Sequence, residues 1–237
     1  MNEESFRIVV TGASRGIGLE YARQWSRAGR RVFGLARDPE GSDGLMALAG
    51  ERPDLVVPVV CDVTDPDSVA EAADRVAKDV DGVEIVVNNA GVMGKKQDIG
   101  ALDLDDVRRV FETNTIGPIR VTRAFHPLLR AGREPRRLVH MTSLMGSIDD
   151  NRSGDSYAYR ISKCGLNMAS RSMAVDLRGE GIASVVLHPG WVQTDMGGSG
   201  ARTATDEAVS DLIGTIEGLT MADTGNFYDR TGDPLPW

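Results

Sequence analysis

Short runs rich in β-branched residues alternate with longer segments of helical spacing along almost the whole chain. The runs are RIVVT (7–11), RVFGLA (31–36), LVVPVV (55–60), EIVVN (84–88), RLVHMT (137–142), ASVVLH (183–188) and GNFYD (225–229). Most are continuously apolar, as strands buried on both faces must be. Between them lie GLEYARQWSRAG, DPDSVAEAADRVAKDV, LDDVRRVFETNTIGPIRVTRAFHPLLRAG, AYRISKCGLNMASRSMAVDLRGEG and TATDEAVSDLIGTIEGL. These segments space their apolar residues helically, with acidic starts and glycine stops. The alternation specifies an α/β fold: a doubly wound, mostly parallel seven-stranded sheet flanked by helices, joined by right-handed crossovers. No linker, repeat or low-complexity tract interrupts it, so residues 1–237 read as a single domain.

Sheets of this kind bind ligands outside the carboxyl ends of their strands. Six unusual groups fall there: TGASRGIG, Arg37, Asp62, NNAG, Ser143 and PGW, each at the end of one of the first six runs. TGASRGIG sets Gly12, Gly16 and Gly18 between a strand and a helix. Glycines there let backbone approach a pyrophosphate, and the helix start offers free N–H groups. The spacing is G-x-x-x-G-x-G rather than G-x-G-x-x-G, and alone it fits a tight turn equally well.

The stretch DSYAYRISKCGLN (155–167) holds two tyrosines and a lysine. Residues four apart share a helix face, so Tyr159 pairs with Lys163, whereas Tyr157 is followed at that distance by Ile161. A phenol has a pKa of about 10, and a nearby ammonium lowers it. Such a pair can pass a proton to or from an alcohol or carbonyl oxygen. Taken alone, it also suits an exposed helix face.

Apolar residues make up 41% of the chain, enough for a full core. The net charge of −8 argues against nucleic acid or an anionic membrane as partner. No apolar run reaches membrane-spanning length. The start, MNEESFRIVV, has no basic region and no separate apolar stretch, so a cytoplasmic protein is expected. Cys61 and Cys164 are too few for a disulfide framework; Cys164 is either a reactive thiol or a small buried helix residue. His126, His140 and His188 form neither a triad nor a metal pattern, and no metal is expected.

Read together, the motifs resemble the short-chain dehydrogenase/reductase family of the classical type. The resemblance rests on TGASRGIG, Asp62 in CDVTD, NNAG (88–91), Asn114 in ETNTIG, Ser143 in MTSLMG, YRISK (159–163) and HPGWVQTDM (188–196), in order along nearly the whole chain. HPGWVQTDMGG and the ending DPLPW look like the small carbonyl-reductase branch that includes C-factor-like proteins. The resemblance implies a Rossmann-type dinucleotide-binding and catalytic domain that moves a hydride between nicotinamide and a carbonyl or secondary alcohol.

It also implies roles. Tyr159 would be the general acid/base. Lys163 would lower its pKa and hold the nicotinamide ribose. Ser143 would bond the substrate oxygen, and Asn114 would anchor a water beside Lys163. Of the hydroxyls near the fifth strand, Ser143 with Gly146 fits the S-x-x-G form, and Ser147 is the alternative. The loop GSIDDNRSGDS is longer than the usual family spacing, which bears on the shape of the substrate pocket. Gly12, Ser14, Arg15, Gly16, Ile17 and Gly18 would cradle the cofactor. Asp62 would accept from the adenine amino group beside Val63, or else cap a helix. Asn88, Ala90 and Gly91 would face the ribose and the middle of the cofactor. Pro189 and Gly190 would shape the last turn, with Val192 and Thr194 on the carboxamide.

The second run ends GLARDPE. An acid at that end reads the ribose of NAD, and an arginine accommodates the 2′-phosphate of NADP. Arg37, with Arg15 from the loop, predicts NADP(H); Asp38, before Pro39, is the alternative pointing to NAD(H). Met93, Met145, Tyr157, Trp191 and Met196 flank these motifs and predict an apolar pocket for a small carbonyl or alcohol. Segments 103–130 and 155–178 correspond to helices that often pack against a partner chain in this family, so a homodimer or homotetramer is expected. An idle nucleotide-binding or signalling protein is the competing reading, opposed by the presence of Tyr159, Lys163 and Ser143. A nucleotide-sugar epimerase would need a longer chain after HPGWVQTDM.

Overall fold

A computed structural model describes residues 6–198 and 200–237; the targeting reading of the first residues lies largely outside it. Seven strands form one sheet: β1 (Arg7–Thr11), β2 (Arg31–Ala36), β3 (Val56–Val60), β4 (Ile85–Asn88), β5 (Arg136–Met141), β6 (Ile182–His188) and β7 (Phe227–Asp229). Their order is β3-β2-β1-β4-β5-β6-β7, and every neighbouring pair is parallel. The order in which strands are added reverses between β1 and β4, which opens a crevice at their carboxyl ends.

The helices are α1 (Gly16–Arg27), α2 (Asp43–Glu51), α3 (Pro66–Ala77), α4 (Leu104–Phe111), α5 (Gly117–Ala131), α6 (Tyr157–Asp176) and α7 (Thr205–Gly218). Alternation along the strands feeds two cores. Ile8 and Val10 join Trp25, Leu45 and Leu212 on one face of the sheet. Val9 joins Phe33, Val69, Val121 and Phe125 on the other. Burying both faces explains why the strands read as continuous apolar runs.

Two helical features depart from the sequence expectation. No helix was expected between β2 and β3, yet a parallel pair needs a crossover, and α2 supplies it. It is short and carries Gly44 and Gly50, and Ser42 caps it by accepting from the Leu45 N–H at 3.4 Å. The long segment after Asp103 is not one helix. A π-turn, Glu112–Ile116, separates α4 from α5, with the Gly117 N–H donating to the Glu112 carbonyl five residues back. Such turns add one residue to the helix and bring an otherwise misaligned side chain onto a chosen face. Asn114 lies in this turn. Among the described residues no helix is long and apolar enough to cross a membrane.

Candidate active site

The carboxyl ends of the strands border a cleft of about 740 Å³. Gly12 lines it with φ +68°, where a Cβ would stand 2.9 Å from Ala90 Cα; only glycine lets β1 and β4 end this close. Thr11 locks the two ends together. Its hydroxyl oxygen accepts from the Asn89 and Ala90 N–H groups at 3.0 Å each, and the Asn89 amide donates to the Thr11 carbonyl at 2.9 Å. Ser42 donates to the Ser14 carbonyl at 2.7 Å and holds the glycine loop from the α2 side. The first turn of α1 therefore meets the cleft with its free N–H groups, a built-in preference for anions.

At one end of the cleft stand Arg37, Asp62 and Val63. Asp62 Oδ1 accepts from Thr64 N–H at 2.9 Å and Thr64 Oγ1 at 2.7 Å. Burial raises its pKa, but these bonds and the charges of Arg37 and Arg120 hold it below the usual carboxylate value. Asp65, not Asp62, caps α3. Asp38 accepts from the Gly41 N–H at 2.9 Å and belongs to the turn after β2.

At the other end α6 lies beside the turn Leu144–Gly146 that follows β5. The Ser143 side chain stands close enough to the Tyr159 phenol to act on its pKa. Lys163 stands one turn on from Tyr159, its Nζ 5.6 Å from the ring centroid and donating to the Met141 carbonyl at 2.8 Å. Asn114 is fully buried. Its Oδ1 accepts from Val92 N–H at 2.8 Å, and its amide donates to the Val92 carbonyl at 2.9 Å and to Ser162 Oγ at 3.0 Å. Asn114 thus ties the segment following NNAG to the helix that carries Tyr159. Gly91 leaves room there: a Cβ would lie 3.3 Å from Asn114 Oδ1 and 3.5 Å from Lys163 Nζ.

Comparison with known proteins identifies the family. A family profile described as short chain dehydrogenase matches residues 7–204. The chain belongs to the short chain dehydrogenase family. It is 48% identical over 155 residues to the C-signal protein of Myxococcus xanthus, a match covering 65% of this chain and 93% of that one. It superposes on the carbonyl reductase Sniffer of D. melanogaster with TM-score 0.95 at 31% identity, covering 99% and 100% of the two chains. An NADPH-bound carbonyl reductase from chicken fatty liver matches with TM-score 0.93 at 34% identity, covering 98% and 99%. As a short chain dehydrogenase the chain is an oxidoreductase of CH–OH and C=O groups that works with a nicotinamide dinucleotide.

In this dehydrogenase Gly12, Ser14, Arg15, Gly16, Ile17, Arg37, Asp62, Val63, Ala90, Gly91, Tyr159, Lys163, Pro189 and Thr194 all line the cleft. Gly18 supports it from behind, where any Cβ would collide with the Gly12 carbonyl. Asn88 does not face it. Its side chain is buried, donating to Thr122 Oγ1 at 3.2 Å and meeting His140 Nδ1 at 3.2 Å, and the next residue, Asn89, takes the place expected of it. Gly190, at φ +83°, turns the chain after β6, and Val192 is buried in a bridge to Thr203. Of the residues expected to wall the substrate, Met196 lines the cleft, whereas Met93, Met145, Tyr157 and Trp191 do not border it.

Several lining residues escaped the sequence reading: Glu20, Arg23, Arg109, Thr113, Gln193 and Asp195. The helical spacing of Arg109, Thr113 and the nearby Asn114 was the available signal. Asp195 forms an exposed ion pair with Arg15 at 3.4 Å, joining the loop after β6 to the glycine loop.

The electrostatics correct one expectation. Lys163 was expected to lower the Tyr159 pKa; instead burial pushes the phenol up to about 12, with only Ser143 acting against it. Burial likewise pushes Lys163 down to about 8. The serine alternatives also separate. Ser147 donates to the Trp237 carbonyl at 3.1 Å, and Thr142 donates to Asn167 Oδ1 at 2.6 Å, so of the three Ser143 is the one on the phenol.

Proposed function

We propose that this chain is an NADP(H)-dependent carbonyl reductase, acting reversibly on secondary alcohols, with residues 1–237 working as one catalytic unit. The observation that carries the reading is that Tyr159 and Lys163 line one end of a nucleotide-sized cleft, the lysine Nζ 5.6 Å from the phenol ring, with Ser143 beside the phenol. Reduction leaves charge on the substrate oxygen, and preorganised donors stabilise it as it forms. Tyr159 donates its phenolic proton to that oxygen. Its raised pKa keeps it an acid throughout the neutral range. Ser143 donates to the same oxygen and orients it. Lys163 supplies a buried cation near the phenol and a donor for ribose hydroxyls. Asn114 holds Val92 and α6 in register and so keeps Lys163 in place.

The cofactor supplies the hydride when bound. The glycine cradle, with no room for a Cβ at Gly12 and little at Gly91, suits its backbone approach. Arg15 and Arg37 would bind the 2′-phosphate through charge-assisted bonds, favouring NADP(H) over NAD(H). The similarity to an NADPH-bound carbonyl reductase supports this choice. Exposed Ile161, Met168 and Val175 fall at intervals of seven along α6 and suit a homodimer contact. The net charge of −8 and the free Cys61 and Cys164 accord with a cytoplasmic setting.

The test is a panel of carbonyls and alcohols assayed in both directions by nicotinamide absorbance. NADPH-dependent turnover of apolar ketones or aldehydes is expected. NADP(H) binding with no turnover of any member would favour the idle nucleotide-binding reading.

A further inference from the structure

The ending DPLPW takes no part in the nucleotide cleft, yet it is folded back onto the side of the sheet that carries Ser143. After β7 the Asp229 N–H donates to the Asp233 carbonyl at 2.8 Å, and Tyr228 pairs antiparallel with Pro234. The Leu235 N–H then donates to the Phe227 carbonyl at 2.8 Å. The Trp237 ring lies 5.6 Å from the ring of buried Phe227. This places the Trp237 main-chain carbonyl on the loop after Ser143. It accepts from Ser147 Oγ at 3.1 Å and from the Asp149 N–H at 2.9 Å. Ser147 Oγ accepts in turn from the Asp150 N–H at 3.0 Å.

The turn joining Ser143 to Ser147 is stiff. The Gly146 N–H donates to the Ser143 carbonyl at 2.8 Å, and the Ser147 N–H to the Leu144 carbonyl at 2.9 Å. Gly146 is pressed on α6, where a Cβ would come 2.8 Å from the Lys163 carbonyl carbon. Ser147 is therefore fixed relative to the Ser143–Tyr159 pair, and the tether at Trp237 fixes the next two residues. Ile148 lies between the tethered positions with its apolar side chain 73% exposed, and Trp237 itself is 43% exposed. Large exposed apolar side chains on the loop that follows the Ser143 turn can supply one wall for an apolar ligand.

We infer that Trp237 is a positioning residue for the substrate: it pins Ser147–Asp149 so that Ile148 and the indole flank the reacting oxygen of an apolar carbonyl compound. The inference rests on the carbonyl-reductase reading above. The chain from Asn151 to Gly154 is exposed, and without the tether the loop between Ser143 and Tyr159 would be held chiefly at its two ends.

The test compares the unmodified protein with a chain lacking Leu235–Trp237, with Trp237→Ala and with Trp237→Phe. Losing the tether should raise KM for an apolar ketone about tenfold, with kcat lowered less than about threefold and NADPH affinity within about twofold. Trp237→Phe, which keeps a ring on Phe227, should recover most of the KM. Amide exchange supplies a readout independent of turnover. The Asp149 N–H should exchange faster in the shortened chain, while the Thr142 N–H, donated to the Leu187 carbonyl at 2.9 Å, stays protected. An unchanged KM alongside faster Asp149 exchange would overturn the positioning role. Unchanged Asp149 exchange would overturn the tether. A parallel loss of KM, NADPH affinity and Thr142 protection would show a general stabiliser and overturn the inference as well. If the unmodified protein turns over no carbonyl, the underlying reading fails, and Asp149 exchange still decides whether the tether exists.

Discussion

The two edges of the sheet follow opposite rules. At the carboxyl edge the strands give way to glycine turns, short hydroxyl side chains and the starts of helices. At the amino edge they open on arginines: Arg7 on β1, Arg31 on β2, and Arg136 and Arg137 on β5. These arginines are engaged. The Arg7 N–H donates to buried Glu84 at 2.7 Å and its guanidinium pairs with the same carboxylate; Arg31 pairs with Asp79 at 2.9 Å, and Arg136 with Glu134 at 2.8 Å. Arg137 donates to the Leu219 and Glu217 carbonyls at 3.0 and 2.6 Å, at the end of α7. One cause lies behind both edges. Crossover helices start at the carboxyl edge and finish at the amino edge, so free N–H groups collect at one and free carbonyls at the other. The amino edge satisfies its carbonyls and acids internally. The carboxyl edge keeps cationic groups, such as exposed Arg37 and Arg15, on the cleft. The difference separates stability from function in space, and substitutions can test how complete the separation is.

The largest effect is expected at Tyr159. Tyr159→Phe should lower kcat by about a thousandfold, the scale of a lost general acid, with the melting temperature and NADP(H) affinity nearly unchanged. Tyr157→Phe should retain measurable activity; the reverse pattern would move the reacting phenol. At the opposite edge, Glu84→Ala removes a buried carboxylate that accepts from both Arg7 and Arg133. It should cost about 3 kcal/mol in urea unfolding while the KM for carbonyl substrate stays unchanged. A catalytic defect in a still-folded Glu84→Ala protein would break the comparison. Arg37→Ala should weaken NADPH binding about tenfold and NADH binding little, as measured by titration at fixed ionic strength. Equal or tighter NADH binding by the unmodified protein would remove the proposed 2′-phosphate contact.

The smallest effect is a pH dependence of a few-fold. Tyr159 stays protonated up to about 12, so it remains a proton donor across the neutral range. Lys163 loses its charge as pH rises through about 8. Carbonyl reduction should therefore be level from about pH 6 to 7 and decline as pH rises through about 8, with the loss of the cation beside the phenol. His140, pushed down by burial to about 3, and His188, to about 4, are neutral over that range and cannot add a break near pH 6.

Strand positions were legible because burial on both faces leaves little choice but apolar, β-branched residues. The expected 31–36 is β2 itself, and the expected 137–142 differs from β5 by one residue at each end. The cleft was legible in part because its backbone demands glycine at Gly12. What stayed hidden depends on contacts between distant segments. Nothing local separates Asn88 from Asn89; strand pairing and the Thr11 hydroxyl make one a core residue and the other a cleft residue. The Tyr159–Lys163 spacing was visible, but the direction of the phenol's pKa was not, because burial decides it. The fold-back of DPLPW onto Ser147 spans 90 residues of sequence and has no local mark.

The π-turn at Glu112–Ile116 limits which lengths of this chain can keep the site. Each residue in a helix advances its direction by about 100°. Deleting any one residue between 112 and 116 would let α4 run into α5 as a plain helix. The flanking helices would keep their phase, with Val121 and Phe125 still on the sheet, but Asn114 would lose the bulge that turns it onto Ser162. Among relatives that keep this site, insertions and deletions should be excluded from 104–131 and should gather instead in loops such as 147–156. Here chain length itself is under constraint, residue by residue, inside a segment that reads as ordinary helix.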